Sequence, residues 1–150
     1  MVHFSSCVSP FGPIRIGCEN GFVVSICRGN GDIPMTPSPL SELVQCQLQE
    51  YFAGSRTSFD LPIKPKGTPF QLAVWHALEE IPYGETRTYG NIAAAIGNPK
   101  ASRAVGMACN RNPLWIVIPC HRVVGSNHNL TGYAGGLSMK RALLELEQKP

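Results

Sequence analysis

A cysteine and a histidine stand side by side after a short apolar run and a proline, in Ile116-Val117-Ile118-Pro119-Cys120-His121-Arg122-Val123-Val124. Such a pair suits nucleophilic chemistry. The thiolate and not the thiol attacks, and a free cysteine, with a pKa of about 8.5, is mostly protonated near neutrality, so a base at hand is what the site needs. Trp115 to Ile118 is strongly β-prone and reads as a buried strand or its end. Pro119 has no N–H to give a ladder and fixes its own φ, so the strand is expected to stop there. Cys120 would then sit at the mouth of a rigid element, reachable and aimed. Cysteine is also one of the most buried residue types and packs as a small hydrophobe, so the chemical reading depends on what surrounds it.

The chain has 150 residues, enough for one domain or two small ones with a real core. Hydrophobic residues at 43% and charged residues at 15% describe an ordinary soluble globular protein. The opening Met1-Val2-His3-Phe4-Ser5-Ser6-Cys7 lacks the basic region and apolar core of a signal peptide, and no apolar run is long enough to cross a bilayer. Six widely spread cysteines with no C-x-x-C argue against a disulfide framework and against a local zinc signature, so reduced thiols in an intracellular compartment are expected. The net charge of +3 hides an asymmetry: residues 1–85 carry five Lys/Arg and eight Asp/Glu, whereas Thr86 to Leu144 holds seven Lys/Arg and no acid. An acid-free basic half is the footprint expected of a phosphate-binding surface, although a solvated basic face has the same composition.

The elements that must position Cys120 can be read along the chain. Ile14–Ile16 and Phe22–Ile26 are β-prone runs joined through Asn20-Gly21, the favoured two-residue hairpin turn. After a Gly/Pro/Ser-rich loop, Ser38-Pro39 supplies an N-cap and a first-turn proline, and Leu40, Val44, Leu48, Tyr51 and Phe52 follow at helical spacing. A strand-like segment, Ser58 to Ile63, leads into Lys64-Pro65-Lys66-Gly67, the best linker. The reading is therefore a sheet-and-helix domain over residues 1–65 and a second domain over 66–150. The second opens with the capping box Thr68-Pro69-Phe70-Gln71. Thr88 caps a short helix ended by Gly97, and after the turn Asn98-Pro99-Lys100 a second helix runs from about Lys100 to Asn110, with Ala101, Ala104, Val105 and Ala108 inward. Two short helices joined by a tight turn make a helix-turn-helix. The outward face, Arg103, Gly106, Met107 and Asn110, is one arginine among mostly small residues, which suits close approach to the narrow minor groove. The fold class expected is α+β, with a mostly helical winged helix-turn-helix domain after the small sheet.

Ile118-Pro119-Cys120-His121-Arg122-Val123, with Gly132-Tyr133-Ala134-Gly135-Gly136-Leu137 after it, resembles the active-site signature of the O6-alkylguanine-DNA alkyltransferases, also called methylated-DNA–protein-cysteine methyltransferases. The resemblance covers residues 66–147 closely and the first 65 only in outline. It implies a ribonuclease-H-like N-terminal domain, and repair of O6-methylguanine, with O4-methylthymine as a second substrate. The alkyl group passes to the protein's own cysteine, once, without a cofactor.

Residue by residue, the resemblance makes Cys120 the nucleophile and His121 the histidine that takes its proton through a water. Adjacent side chains on an extended segment point apart, which makes such a bridge reasonable. Glu147, on a closing helix that Ser138 is expected to cap, matches the carboxylate that holds the histidine. Asn112 matches the asparagine bracing the helix-turn-helix to the active site, where its amide can bond on both sides. Tyr89 matches the tyrosine that assists the departing base and presses on a phosphate. A base inside a duplex cannot reach Cys120 and must be rotated out. Arg103 matches the arginine that fills the vacated stack, a task suited to a flat, always-charged guanidinium. The expected DNA-contacting set is Thr88, Tyr89, Ser102, Arg103, Ala104, Gly106, Asn110, Arg111 and Arg122. The expected base pocket is Val123, Tyr133, Ala134, Gly135 and Trp115, with Trp115 bulky enough to limit large alkyl groups.

Some family members hold zinc in the N-terminal domain. Cys18 matches one ligand, but the histidine expected soon after it is absent, so no metal is predicted. Cys109 is read as a packing residue with a second acceptor role as the alternative, and His128 as solvated. The expected partner is double-stranded DNA carrying alkylated guanine, bound through the minor groove by a monomer able to cluster on DNA. The expected location is the cytoplasm and nucleoid of a prokaryote or the nucleus of a eukaryote, with no membrane association. Two other classes compete: a non-catalytic lesion-binding protein, against which Cys120 speaks, and a thiol-sensing helix-turn-helix regulator, for which the outward helix offers few base-reading side chains.

Overall fold

A computed structural model of the chain describes residues 1–29, 34–127, 129–130, 132–133 and 135–148. The protein is mixed α/β, and its chain divides into two compact units, Met1–Lys66 and Gly67–Pro150.

In the first unit, β1 (His3–Ser9), β2 (Gly12–Glu19) and β3 (Phe22–Arg28) form an antiparallel sheet in the order β1-β2-β3. The β2–β3 turn has Asn20 at φ 53° and Gly21 at φ 80°, the two left-handed residues that a twist-matched two-residue hairpin requires. Strand β1 was not legible in composition, because His3-Phe4-Ser5-Ser6-Cys7 is short of β-branched residues. It is carried by pairing with β2, from His3 opposite Cys18 to Ser9 opposite Gly12. Helix α1 (Pro39–Phe52) is capped by Ser38, whose side chain accepts from the Ser41 N–H. It buries Val44, Leu48 and Tyr51, while the sheet buries Ile14, Ile16, Val23 and Ile26. The expected strand from Ser58 to Ile63 reduces to a single bridge between Ile63 and Val23. Two backbone bonds to Val23, from Pro62 and Lys64, hold its end, and Gln47 holds its middle, donating to the Asp60 carbonyl at 3.0 Å and accepting from the Asp60 N–H at 2.9 Å.

The second unit opens on α2 (Pro69–Glu79), with Thr68 and Gln71 closing a reciprocal capping box. A Cβ at Gly67 would lie 2.6 Å from the Trp75 ring, so the chain can enter this helix past Trp75 only as glycine. Trp75 is buried and donates from its indole to the Ala108 carbonyl at 2.8 Å, which ties α2 to α4 (Ser102–Asn110). Helix α3 (Tyr89–Ala95) is capped by Thr88 and packs on α2 and α4. A two-stranded parallel sheet pairs β4 (Arg87–Thr88) with β5 (Val123–Val124), and α5 (Leu137–Gln148) closes the unit.

Two expectations are corrected. Trp115 to Ile118 is not a strand but a tight turn closed by the Ile118 N–H on the Leu114 carbonyl at 2.9 Å, and the strand pairing lies on the other side of the cysteine, at Val123–Val124. The apolar character that suggested a strand reflects burial: Leu114, Ile116 and Ile118 are all core residues. Ile116 has φ 74°, a left-handed conformation that costs a β-branched residue about 1–3 kcal/mol and persists only where its surroundings over-determine it. Ser138 is the second residue of α5 and not its cap. No helix among the described residues is long and apolar enough to cross a membrane.

Candidate active site and nucleic-acid face

The turn that replaces the expected strand delivers Cys120. Pro119 ends it, and Cys120–Arg122 winds into one 3-10 turn before β5 begins. The parallel register of Arg87 with Val123 and Thr88 with Val124 sets the start of α3, with Tyr89, beside this stretch.

Asn112 organises the turn through its side-chain amide and its backbone N–H. Its side-chain N–H donates to the Ile118 carbonyl at 2.8 Å and to Cys120 Sγ at 3.2 Å. Its Oδ1 accepts from the Leu114 N–H at 2.9 Å, and its own N–H donates to the Cys109 carbonyl at 3.3 Å. One buried residue thus fixes the sulfur and both ends of the strained turn with its side chain, and the end of α4 with its backbone.

Burial dominates the thiol and pushes Cys120 up to about 11, with the Asn112 hydrogen bond and the charge of Lys140 pulling the other way. At rest it is a thiol, and attack requires a base. His121 is fully buried, and burial holds its pKa below the usual imidazole value despite the opposing pull of Glu147. Its Nε2 lies 2.7 Å from Glu147 Oε2. A neutral ring facing a carboxylate carries its proton on that nitrogen, which leaves Nδ1 as a lone-pair acceptor. Nδ1 is buried and finds no protein partner among the described residues. The site therefore contains an oriented, neutral base next to a protonated nucleophile, the pairing that general-base activation needs.

Arg122 was expected on DNA, but the structure puts it elsewhere. It is 7% exposed, donates to both Glu147 oxygens at 2.8 and 3.0 Å, and donates to the Ile81 carbonyl at 2.7 Å. Its guanidinium also lies over the Tyr83 ring at 5.7 Å. The Gly84 N–H adds a 3.3 Å contact to Glu147 Oε1, so one carboxylate gathers the histidine, the arginine and the chain after α2. Arginine is almost never buried unless paired, and the partner that draws Arg122 inward lies 25 residues away in the chain.

Lys140 was missed. It is fully buried on α5, donates to the Gly132 carbonyl at 3.2 Å, and places Nζ over the Tyr89 ring at 5.8 Å. Its charge favours the Cys120 thiolate, while burial lowers its own pKa. The available signal was its position: Met139, Lys140, Leu143 and Glu147 form one buried stripe along α5. With Arg122 and Lys140 inside, the basic half of the chain shows solvent fewer positive charges than its composition suggests.

The other expected residues divide into groups. Tyr89, Thr88, Ser102, Arg103, Gly106 and Asn110 line a recess of about 590 Å³. Arg103, Asn110 and Arg111 are exposed, and Ala104 is half-buried on α4. At Gly106 a Cβ would stand 3.8 Å from the Tyr89 ring, an ordinary contact. Trp115, Tyr133 and Gly135 form a second group. The two rings are 6.0 Å apart, and a Cβ at Gly135 would meet Met139, Tyr133 and Trp115 at 2.6, 2.8 and 3.1 Å, so only glycine fits. Val123 is buried in β5. Ala134 and His128 lie outside the described residues. Cys109 is buried and its thiol is pushed up to about 12, chiefly by desolvation, which makes it a poor nucleophile. Among the described residues no group of three or more His, Cys, Asp or Glu is arranged to hold a metal ion.

Comparison with known proteins places these features. Residues 69–149 match the family model described as 6-O-methylguanine DNA methyltransferase, DNA binding domain. A Methanosarcina barkeri protein named methylated-DNA–protein-cysteine methyltransferase is 63% identical over 147 residues, covering 93% of each chain. A Methanosarcina acetivorans protein of the same name is 54% identical over 146 residues, covering 93% of this chain and 94% of its own. Among solved structures, that of Mycobacterium tuberculosis OGT in complex with DNA superposes with a TM-score of 0.90 at 46% identity, covering 97% of this chain and 92% of the other.

Proposed function

The chain belongs to the 6-O-methylguanine DNA methyltransferase family, and from that premise and the geometry around Cys120 we infer that it repairs alkylated DNA by taking the alkyl group onto that cysteine. Residues 66–150 carry both DNA binding and transfer, and residues 1–65 are structural. On this reading the first unit is ribonuclease-H-like, the second a winged helix-turn-helix, and the protein an intracellular monomer.

The observation that carries this reading is the arrangement of the Cys120 thiol on Asn112 with the buried His121–Glu147 pair beside it. The thiol proton passes through one water to His121 Nδ1, and the imidazolium is held by Glu147, itself fixed by Arg122. The thiolate attacks the methyl carbon on guanine O6. A carbon–sulfur bond forms, the carbon–oxygen bond breaks, and its electron pair leaves on the base. Tyr89 supplies a hydrogen bond or proton to that base, and Lys140 adds positive charge near the sulfur. The thioether is stable, so each molecule acts once.

For the base to reach Cys120, α4 enters the minor groove and the nucleotide rotates out, with Arg103 taking its place in the stack. Thr88, Ser102, Ala104, Gly106, Asn110 and Arg111 contact the backbone and groove. Val123, Tyr133, Ala134, Gly135 and Trp115 wall the extruded base, which is O6-methylguanine and, secondarily, O4-methylthymine.

The test is to incubate the protein with a duplex containing O6-methylguanine and map the adduct by peptide mass. One methyl on Cys120, restored guanine and no second turnover are expected. Cys120→Ser should bind DNA and transfer nothing. Binding without any adduct on the wild-type protein would reduce it to a non-catalytic lesion binder.

A further inference from the structure

Helix α4 turns Arg103, Gly106, Met107 and Asn110 outward in one stripe at i, i+3, i+4 and i+7. Met107 is 71% exposed and lines the same recess as Arg103 and Tyr89. It is the one large apolar side chain on a face whose other members are charged, polar or lack a side chain. A methionine so exposed contributes little to the core, so its effect falls on whatever the face meets.

With α4 in the minor groove, a placement that rests on the function proposed above, Met107 lies one helical turn from Arg103. That is about 6 Å along the helix, or roughly two base-pair steps from the vacated position. The floor of the minor groove distinguishes base pairs almost only by the guanine N2 amino group, which A·T pairs lack. A thioether against that amino group strips its water and returns at most a very weak acceptor, leaving a donor unsatisfied. An A·T floor loses water from its acceptors as a G·C floor does, but it has no amino donor to leave unsatisfied, so the difference between the two is that one group. We infer that Met107 makes repair dependent on the neighbouring sequence: a lesion with A·T at the pair under Met107 is repaired faster than one with G·C there.

The experiment measures single-turnover repair of O6-methylguanine duplexes in which each pair one to three steps from the lesion, on either side, is A·T or G·C. Wild-type protein should be slower by about tenfold with G·C at one of these positions. Replacing that guanine by inosine, which lacks the amino group, should restore the rate, and replacing adenine there by 2,6-diaminopurine, which adds it, should reduce the rate. Met107→Ala should abolish the difference, and Met107→Gln, whose amide oxygen can accept from the amino group, should reverse it. Equal wild-type rates on guanine and inosine duplexes overturn the inference while leaving the functional reading intact, as does a preference that survives in Met107→Ala. Absence of repair on every duplex overturns the functional reading, and this inference with it.

Discussion

The two units bury their polar side chains for different ends. Among the described residues, the buried polar side chains of Met1–Lys66 are those of Ser5, Ser9, Ser41 and Gln47, all neutral. In Gly67–Pro150 they are Asn112, His121, Arg122, Lys140 and Glu147, four of them ionisable. The first set serves local geometry: Ser41 completes the α1 capping box and Gln47 braces Asp60. The second set takes charge out of water, which costs several kcal/mol per ion unless partners are well placed. A fold that needed only stability could fill those positions with apolar residues. Buried charge gathered around one cysteine therefore marks where stability has been exchanged for chemistry.

The sharpest way to break this contrast is Glu147→Gln. It leaves Arg122 buried without its carboxylate and His121 without its orienting partner. A loss of about 3–5 kcal/mol in unfolding free energy is expected from denaturant titration, together with a fall in methyl transfer of at least about a hundredfold. Wild-type transfer in a folded Glu147→Gln protein would remove Glu147 from the mechanism.

Asn112→Ala comes next. It leaves the Leu114 N–H unpaired inside the unit, at about 1–3 kcal/mol, and takes from the Ile118 carbonyl one of its two bonds, that from the Cys120 N–H remaining. It also releases the sulfur. The pH profile of Cys120 alkylation by a small neutral alkylator should move to higher pH, because Asn112 now holds that pKa down; a purely structural role would leave the profile in place.

A smaller effect separates the units by pH. The folded protein keeps His121 neutral below its ordinary value of 6.5. As pH falls through 6.5 toward that lowered value, the unfolded chain binds a proton that the folded chain does not, so this group's share of stability declines; above 6.5 it contributes no slope. Urea midpoints measured from about pH 7 to about pH 5 should fall less steeply in His121→Gln. Smallest is Gln47→Ala in the first unit, with a loss of about 1–2 kcal/mol that varies little with pH. Its transfer rate per folded molecule should match wild type. A rate that fell with Gln47 would show that the first unit is more than structural.

Much of the fold was legible because it rests on local rules. Ser38-Pro39, Thr68-Pro69-Phe70-Gln71 and Thr88 each begin a helix where capping chemistry says one should begin. Asn20-Gly21 turns the hairpin it suggests. The misreadings have a common origin. An apolar run such as Trp115–Ile118 reports burial without reporting backbone shape, and Ile116 takes a φ that no sequence rule would assign to isoleucine. Strand β1 depends on its neighbour for its existence, and Arg122 reads as a surface charge until Glu147 is brought to it.

The sequence by itself determined which atoms are available for chemistry: a thiol next to an imidazole, a carboxylate near the end of the chain, and an outward helix stripe narrow enough for a groove. Tertiary structure alone decided their state. Burial raises the Cys120 thiol, keeps His121 neutral, turns Arg122 inward onto Glu147 and puts the charge of Lys140 where it favours the thiolate. Protonation and pairing depend on distance and dielectric, and both are set by contacts between residues far apart in the chain.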